Sequence, residues 1–423
     1  MFGRGADESG GDVVLDGAVI ADPRTGLGEA HHESLDAAFD DTLDVTGCVV
    51  TPGLVNAHHH LLQSLFRTLP GTRGVPMAKW LPTMAAAYAA RGITPETATE
   101  AARIGVAESL LFGVTTVADH HLNWPADVPV EQTVAIAQAT ADAARELGIR
   151  LAFVRGAARD VPEHAADSAE AIVESLLPAD SEHGVAPDGM LQVAVGPAGV
   201  HSDPEATFRL LGAVAAQHGL RRRTQANEQV DVDIALEKYG RRPLELLDEW
   251  GWLAPDVTLA HLCDVTDQEI ARLAAAGVSA THAPGCDVPM GWGVAPVAKL
   301  RDAGITVGLG TSGGGSNDAG HLLADARLAM QVSALVGPQL PSRAVLAMAT
   351  TGSAIGLGRP ELGRLTPGSA ADLCVWDVSG VADAGVADAV AGLLWANPGR
   401  RPRHVIVAGR VVVRDYALVA RPT

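Results

Sequence analysis

The chain has 423 residues, of which 47% are hydrophobic and 19% are charged, a composition typical of a globular protein with a large core. Its formal net charge of −19 argues against phosphate backbones and anionic membranes as binding surfaces, because both would repel it. We therefore expect a small-molecule substrate as partner, with no nucleic acid and no membrane.

The N-terminal sequence and the cysteines indicate a compartment. The first residues, MFGRGADESGGDVV, contain no apolar run of signal-peptide length, and no stretch approaches the ~18 apolar residues of a membrane span. Cys48, Cys263, Cys286 and Cys374 are scattered and form no C-x-x-C pair, which favours free thiols in a reducing compartment. We expect a cytoplasmic protein and a homodimer.

The two ends of the chain have a similar texture. Residues 11–50 contain short apolar runs separated by turns, such as DVVLDGAVI and DTLDVTGCVV, and residues 364–423 contain RLTPGSAADLCVWD and HVIVAGRVVVRDY. Such runs predict short strands. We predict that residues 1–50 and 364–423 together form a small β-sandwich, with a helical insert or long connection at residues 382–399.

Between these arms, a short apolar run followed by a helical segment recurs along the chain. Most runs are continuously apolar, as in parallel strands that are buried on both faces. The eight runs are CVVTPGLVNAHHH (48–60), GVTTVADHH (113–121), RLAFVRGA (150–157), LQVAVGPAGVH (191–201), LRRRTQANE (220–228), VTLAHLCD (257–264), GVSATHAP (277–284) and ITVGLGTSG (305–313). This repetition predicts an α/β fold, a (β/α)8 TIM-like barrel over residues 51–363.

The intervening segments carry helix signals. In SDPEATFRLLGAVAAQHG, we expect Asp203 at the N-cap, Pro204 at the first helical position and Gly219 after the last turn. In TDQEIARLAAAG, Thr266 and Glu269 have the spacing of a capping box.

Polar side chains follow nearly every predicted barrel strand. Because active sites of such barrels lie at the C-terminal ends of the strands, we expect these side chains to converge. They are His58, His60, His120, His121, His201, Gln225, Glu228, His261, His282 and Ser312. The remaining histidines fit ordinary surface or core positions. They are His31, His32, His164, His183, His218, His321 and His404.

The H-x-H pair has a specific geometry. Residues i and i+2 of a strand point to the same side, so His58 and His60 aim two imidazoles into one pocket, while His59 points the other way. Two such nitrogens suit a divalent metal. A hydrogen-bonded polar pair without a metal is the less favoured alternative.

Several motifs together resemble the amidohydrolase superfamily. They are TPGLVNAHHHLLQSLFR (51–67), GVTTVADHH (113–121), LAHLCDVTDQEIARLAAAGVSATHAP (259–284) and GRLTPGSAADLCVWD (363–377). The resemblance covers nearly the whole chain, and it is strongest to the branch of 8-oxoguanine deaminase, guanine deaminase and the triazine chlorohydrolases. It implies the barrel fold and a hydrolase that acts on a nitrogen heterocycle.

The resemblance also implies roles for the residues at the strand ends. His58 and His60 match the first two metal ligands of the family. Glu228 matches a glutamate that shuttles a proton to a ring nitrogen. His261 matches a histidine that orients the attacking water, and His282 matches one near the substrate.

Further positions match or approach the family's substrate pocket. Gln63 and Arg67 fall where the purine-deaminating relatives face their substrate. His120 and His121 end the second strand and are expected in the same pocket. The glycine- and proline-rich segment 69–84, with Trp80, is expected to form a loop over the pocket, and NWPADV (123–128) is expected to line it.

Two positions depart from the family pattern. Gln225 stands where the family has a ligand histidine, and Ser312 stands where it has a ligand and base aspartate. An amide oxygen and a hydroxyl are poor ligands for zinc or iron compared with imidazole and carboxylate. We expect Zn or Fe if any metal is bound, and possibly none. In that case Gln225 would contact the substrate, and Ser312 would retain a catalytic position.

Three nearby residues offer other donors. Asp318 and Asp287 could turn a carboxylate toward the site, although support of the next helix is the plainer interpretation of Asn317 and Asp318. Cys286 could be a nucleophile, although a small buried residue is the plainer interpretation.

These observations leave several functional hypotheses. The first is a hydrolase that cleaves a C–N or C–halogen bond of a purine-, pteridine- or triazine-like ring with little or no metal dependence. The second is a conventional Zn- or Fe-dependent deaminase with a compensating ligand. The third is a catalytically silent, ligand-binding relative, and a fourth is that the two replacements were engineered to trap a substrate.

Overall fold

The computed structural model describes residues 10–22 and 42–420. Our interpretations of His31 and His32 lie outside the described residues, as do the parts of the predicted β-rich arms at residues 1–9, 23–41 and 421–423.

Eight parallel strand positions form the centre of the molecule. The strands of the whole described chain are β1 (Leu15–Asp16), β2 (Val19–Ile20), β3 (Cys48–Pro52), β4 (Leu54–His60), β5 (Val114–His121), β6 (Arg150–Ala157), β7 (Leu191–Pro197), β8 (Arg222–Ala226), β9 (Val257–His261), β10 (Ser279–His282), β11 (Val307–Leu309), β12 (Ser312–Gly313), β13 (Leu373–Asp377), β14 (His404–Val407), β15 (Arg410–Arg414) and β16 (Ala417–Leu418). From β4 to β11 each strand pairs in parallel with the next, and β12 pairs with β4. This last pairing closes the sheet, so the predicted (β/α)8 TIM-like barrel is confirmed.

The final barrel strand is interrupted where it passes against His58. A Cβ atom at Gly310 would lie 2.6 Å from the Cβ atom of His58. Only glycine allows the backbone to come this close. The interruption divides the strand into β11 and β12 and brings Ser312 to the mouth of the barrel, beside His59 in the register with β4.

Helices surround the barrel. They are α1 (Met77–Arg91), α2 (Pro95–Leu111), α3 (Val130–Leu147), α4 (Pro162–Leu176), α5 (Glu205–His218), α6 (Val230–Tyr239), α7 (Pro243–Glu249), α8 (Asp267–Ala276), α9 (Pro284–Met290), α10 (Val297–Asp302), α11 (Leu322–Ser333), α12 (Ser342–Ala347), α13 (Ser353–Gly356) and α14 (Ala389–Trp395). Short 3-10 turns span Leu61–Leu65 and Val381–Asp383, and a π-helical turn spans Met348–Gly352. No helix in the described ranges is both long and apolar enough to cross a bilayer.

The capping signals were largely correct. The predicted box of Thr266 and Glu269 forms at the start of α8, and Gly219 ends α5 in the left-handed conformation. The prediction for Asp203 was wrong, because Pro204 is the N-cap residue of α5. The Asp203 carboxylate instead accepts hydrogen bonds from the backbone N–H groups of Ala198 and Arg159, both at 3.1 Å.

A second sheet lies beside the barrel. Its antiparallel order is β16-β15-β14-β13-β3, so the two ends of the chain contribute to one sheet, as predicted. The hairpin of β1 and β2 packs on it through Ile20, which shares a buried cluster with Val50 and Leu373. Because β3 continues to Pro52, we propose that the boundary of this β-sandwich lies after Pro52. The predicted helical insert at 382–399 contains α14.

Candidate active site

A cavity of about 140 Å³ opens at the C-terminal ends of the barrel strands. Its polar lining includes residues that the sequence singled out at strand ends or near them. These are His60, Gln63, His201, Gln225, Glu228 and Ser312. The cavity therefore lies where the barrel architecture predicts an active site.

The other wall of the cavity is apolar. Met77, Trp80 and Met84 line it from α1, and Met290 and Trp292 line it from α9 and the turn that follows. The prediction of a loop over the pocket was partly wrong, because most of the segment that contacts the cavity is helical. Leu122 and Asn123 line the cavity, and Asn123 belongs to the predicted NWPADV segment.

Three consecutive glycines, residues 313–315, position side chains of this wall through backbone contacts. Gly315 donates its backbone N–H to Gln63 Oε1 at 3.0 Å, and its carbonyl accepts a hydrogen bond from Trp80 Nε1 at 3.1 Å. A Cβ atom at Gly315 would lie 2.6 Å from Met84 Cε. The sequence GGG (313–315) therefore allows the backbone to pass directly beneath Gln63, Trp80 and Met84.

Four imidazoles cluster at the base of the cavity. The ring centroid of His58 lies 4.8 Å from that of His60, 5.2 Å from that of His261 and 5.8 Å from that of His120. His59 lies on the opposite side of β4, where its Nδ1 is 2.9 Å from Thr311 Oγ1. The alternation of β4 thus brings together the two imidazoles that the sequence paired.

His60 and His58 are neutral and retain a lone pair. Nδ1 of His60 donates to the carbonyl oxygen of His120 at 2.7 Å, which leaves Nε2 as an acceptor. Nε2 of His58 is buried without a hydrogen-bond partner. Burial lowers the pKa of His60 to about 4 and holds the pKa of His58 well below its usual value.

His261 has the opposite charge state. Its Nδ1 lies 2.6 Å from Asp287 Oδ1, and its Nε2 lies 3.1 Å from Gln225 Oε1. Both partners are acceptors, so both ring nitrogens donate and His261 is an imidazolium. Although burial opposes the charge, the carboxylate of Asp287 above all raises the pKa of His261 to about 9. Gln225 is oriented by donating from Nε2 to the carbonyl of Ala198 at 3.1 Å.

Glu228 is a buried carboxyl group at the wall of the cavity. Its Oε1 lies 3.5 Å from His261 Nε2, and its Oε2 has no hydrogen-bond partner. Burial raises the pKa of Glu228 to about 8, against the opposing charge of His261 and with support from Asp231 and Asp287. The group is therefore mainly protonated at pH 7, as a proton donor must be.

The backbone is strained at the ends of these strands. Non-glycine residues have positive φ values at Asn227 (56°), Gln229 (68°), His261 (77°), Leu262 (55°) and Ser312 (55°). Such strain costs on the order of 1–3 kcal/mol per residue and concentrates at functional sites. The surrounding packing holds the strand ends in this strained conformation, which directs Glu228, His261 and Ser312 to the mouth of the barrel.

Some predicted residues lie elsewhere. Arg67 forms a bidentate ion pair with Glu108 of α2 and does not line the cavity. His121 packs against Trp124 at a centroid distance of 4.4 Å, also outside the lining. The structure therefore does not bring these two residues into the cavity lining, because the alternation of β5 turns His121 outward and an ion pair with a distant residue holds Arg67.

His282, His120 and Asp318 complete the set of predicted positions. His282 is buried behind the cavity, with Nδ1 3.7 Å from Asp287 Oδ2, and burial lowers its pKa to about 4. Nε2 of His120 donates to the carbonyl of Gly196 at 2.8 Å below the cavity. Asp318 pairs with Arg73 outside the cavity lining, so it does not turn toward the site.

One functional feature escaped the sequence reasoning. Arg223 precedes Gln225 by two residues on β8, so its side chain points to the same interior side, where it is 3% exposed. Its Nη2 donates to the carbonyl of Ala57, while Nε and Nη1 have no partner. Burial lowers its pKa to about 9, which leaves it charged at pH 7. The period of two in RRRTQ was the signal that could have revealed it.

The barrel and the acid–base groups at its mouth define the class of the protein, a barrel hydrolase. The chain belongs to the amidohydrolase family, whose model matches residues 49–412. The 8-oxoguanine deaminase of Pseudomonas aeruginosa is 34% identical over 435 residues, covering 98% of this chain and 92% of that protein. A 5-methylthioadenosine/S-adenosylhomocysteine deaminase of Halobacterium salinarum is 33% identical, covering 96% and 89%.

The solved structures agree with this assignment. A variant of the atrazine chlorohydrolase TrzN from Arthrobacter aurescens TC1, complexed with zinc and atraton, has a TM-score of 0.88 and 34% identity to this chain, covering 97% of it and 92% of TrzN. The predicted place in the deaminase and chlorohydrolase branch of the superfamily is therefore confirmed, and the protein is a hydrolase.

The structure of this relative contains zinc. Whether the present chain could bind the same ion depends on the donor atoms that its own site offers. A catalytic zinc takes at least three protein ligands. Among His58, His60, Gln225 and Ser312, only the two imidazoles have a nitrogen lone pair that accepts no hydrogen bond. Gln225 Oε1 accepts from His261, and Ser312 offers a hydroxyl. Two imidazoles are too few, and these residues do not fit a zinc site of the family type.

A second donor group lies beside them. Ligand atoms of His261, Cys286 and Asp287 all lie within 4.8 Å of one another. However, His261 and Asp287 already share a direct hydrogen bond of 2.6 Å, and burial raises the pKa of the Cys286 thiol. Since metals bind the thiolate, this group holds a proton more readily than a cation.

Proposed function

We propose that the protein hydrolyses a C–N or C–halogen bond of a purine-, pteridine- or triazine-like ring, with reduced or no dependence on a metal. The observation that carries the proposal is Glu228, a buried, protonated carboxyl group whose Oε2 is free at the cavity wall. The ring substrates in the names of the relatives, 8-oxoguanine and S-adenosylhomocysteine among them, support this substrate class.

The apolar wall fits a flat ring. Trp80, Met84 and Trp292 offer aromatic and polarisable surface, which stacks on heteroaromatic rings. Gln63 and Gln225 add polar groups that can fix the orientation of ring substituents. In this position a ring nitrogen can accept the proton of Glu228.

Proton transfer prepares the ring for water. When Glu228 protonates a ring nitrogen, the adjacent carbon loses electron density and becomes a better electrophile. A water molecule attacks that carbon, and a neutral imidazole with a free lone pair, His60 Nε2, accepts its proton. The C–O bond forms and the tetrahedral carbon carries both oxygen and the leaving group.

Collapse of this intermediate completes the reaction. The proton on His60 passes to the leaving amine, the C–N bond breaks and ammonia departs. The new hydroxyl group on that carbon gives its proton to the Glu228 carboxylate, so the carbon becomes a carbonyl and the ring nitrogen keeps its hydrogen. Water and the amino-heterocycle are thus converted to the oxo-heterocycle and ammonia. The imidazolium of His261, 3.5 Å from Glu228, stabilises the carboxylate while the proton is away.

A metal-dependent deaminase with a compensating ligand is the second candidate. The closeness of His261, Cys286 and Asp287 favours it, because three donor types meet there. Zinc or iron would be the metal.

The test combines elemental analysis with a screen of aminated and halogenated heterocycles. We expect less than one metal ion per chain and full turnover in the presence of a strong chelator. One tightly held zinc or iron per chain, with activity that chelation removes and that metal restores, would replace this proposal with the second candidate.

A further inference from the structure

A guanidinium spans the interior of the barrel below the histidine cluster. Strands β4 and β8 lie on opposite sides of the barrel, separated by β5, β6 and β7 along the sheet. Arg223 of β8 reaches across this interior and donates from Nη2 to the carbonyl of Ala57 on β4. Ala57 immediately precedes His58, so the charge of Arg223 lies next to the base of the cavity.

The neighbours of Arg223 have a different arrangement. Arg222 points outward and pairs with Asp256, with Nε 2.6 Å from Oδ2. Arg221 donates to the carbonyls of Pro255 and Gly356. Arg223 alone of the three points inward, and no ion pair with a carboxylate is found for it within the described ranges.

A buried charge without a counter-charge acts over a longer range than a surface charge. Solvent does not screen it, and the interior responds with an effective dielectric constant of about 20 or less. Any cation that binds between His58 and His60 must approach this guanidinium. The repulsion is doubled for a divalent ion.

We propose that Arg223 is a built-in cation that excludes divalent metal from the His58–His60 pair. This inference deepens the proposed metal-independent chemistry and rests on it for its biological meaning. The loss of donors at Gln225 and Ser312 and the presence of Arg223 are then two parts of one arrangement. The donors no longer hold a metal, and the charge repels it.

The experiment measures zinc affinity in matched backgrounds. Gln225→His and Ser312→Asp restore the donors that the family uses. In this double variant, Arg223 is kept, replaced by neutral Met or Gln, or replaced by Lys as the charge-retaining control. Equilibrium dialysis against Zn²⁺ with elemental analysis gives Kd for each protein, and circular dichroism verifies folding.

The charge predicts a clear order of affinities. Arg223→Met and Arg223→Gln should bind Zn²⁺ on the order of 100-fold more tightly than the parent double variant, whereas Arg223→Lys should stay close to the parent. Two neutral replacements of different polarity guard against a folding defect in either one. Equal zinc affinity in the Arg, Lys, Met and Gln proteins would overturn the inference.

The two proposals fail in different ways. Zinc-dependent turnover of the unaltered protein would sink the proposed function. The effect of the charge at position 223 on zinc affinity would still be tested independently, by the dialysis experiment. Conversely, if charged and neutral residues at position 223 gave the same Kd for zinc, Arg223 would have no role in excluding metal. Turnover that resists a chelator would still support the proposed function.

Discussion

Nε2 of His261 lies 3.1 Å from the amide oxygen of Gln225, where it donates a hydrogen bond. With a histidine at position 225, two imidazoles would face each other and could share a metal. With glutamine there, His261 instead carries a proton on each nitrogen, held on the far side by Asp287. Glutamine at position 225 therefore leaves a fixed positive charge on His261 beside Glu228.

Glu228→Gln tests the proton donor. The amide keeps the shape of the side chain but cannot supply the acidic proton. We expect kcat to fall by roughly 10²–10⁴-fold, with little change in substrate affinity. Steady-state kinetics and direct binding measurements separate the two quantities. The control is Glu249→Gln on the exposed surface of α7, which should retain full activity. A Glu228→Gln protein with normal kcat would show that the carboxyl group takes no part in the reaction.

The pH dependence follows from two groups with opposite shifts. Glu228 must be protonated, and burial raises its pKa to about 8, so activity should decline as pH rises through about 8. His60 must be neutral, and burial lowers its pKa to about 4, so activity should be present above about pH 4. A pH profile of kcat/KM would measure both limbs. Constant activity up to pH 9.5 would contradict the acid role of Glu228.

The free energy of unfolding should fall as pH rises, because the pKa of Glu228 is higher in the folded state than in the unfolded state. Folded Glu228 holds its proton up to about pH 8, whereas the unfolded side chain releases it near pH 4.5. The folded state therefore binds the extra proton between these values, and this contribution to stability is lost as pH rises from about 4.5 to about 8. Glu228→Gln should flatten that part of the stability profile, measured by urea unfolding at pH 5 and pH 8. An unchanged difference between the two pH values would argue against the raised pKa.

Much of this site follows from the sequence, and the reason is periodicity. The alternation of β-strands placed His58 and His60 together and His59 apart, and the barrel architecture placed Glu228, His261 and Ser312 at one mouth. What periodicity cannot supply is contact between distant segments. The pair of Arg67 with Glu108 involves residues 41 positions apart, so nothing in the sequence indicated that Arg67 would lie outside the cavity lining.

The same limit explains the role of Asp287. In the sequence it is five residues from His282, and its partner could not be deduced. In the structure the first turn of α9 carries it back over the barrel to His261, 26 positions away. The inward direction of Arg223, by contrast, could have been predicted, because Arg223 and Gln225 are two residues apart on β8 and therefore point to the same side.

Asp287→Asn tests the charge on His261. The amide removes the carboxylate at 2.6 Å, so the pKa of His261 should fall and the ring should become neutral near pH 7. Nitrogen-15 chemical shifts of the imidazole report this change directly, and kcat should fall about 10–100-fold. Asp318→Asn is the matched control, because that carboxylate pairs with Arg73 away from the cavity. If His261 remained doubly protonated in Asp287→Asn, the charge would have another origin.

Gly315→Ala tests the seating of the apolar wall. The added methyl group would lie 2.6 Å from Met84 Cε and 2.9 Å from Gln63 Oε1, so both side chains must move. Overpacking of this kind costs ~1–3 kcal/mol of stability, and the displaced wall should raise KM more than it lowers kcat. Gly380→Ala provides the control, since its Cβ atom meets nothing within 4 Å and its φ is negative. Thermal unfolding and steady-state kinetics measure both effects. An unchanged KM in Gly315→Ala would mean that the wall formed by Gln63, Trp80 and Met84 does not contact the substrate.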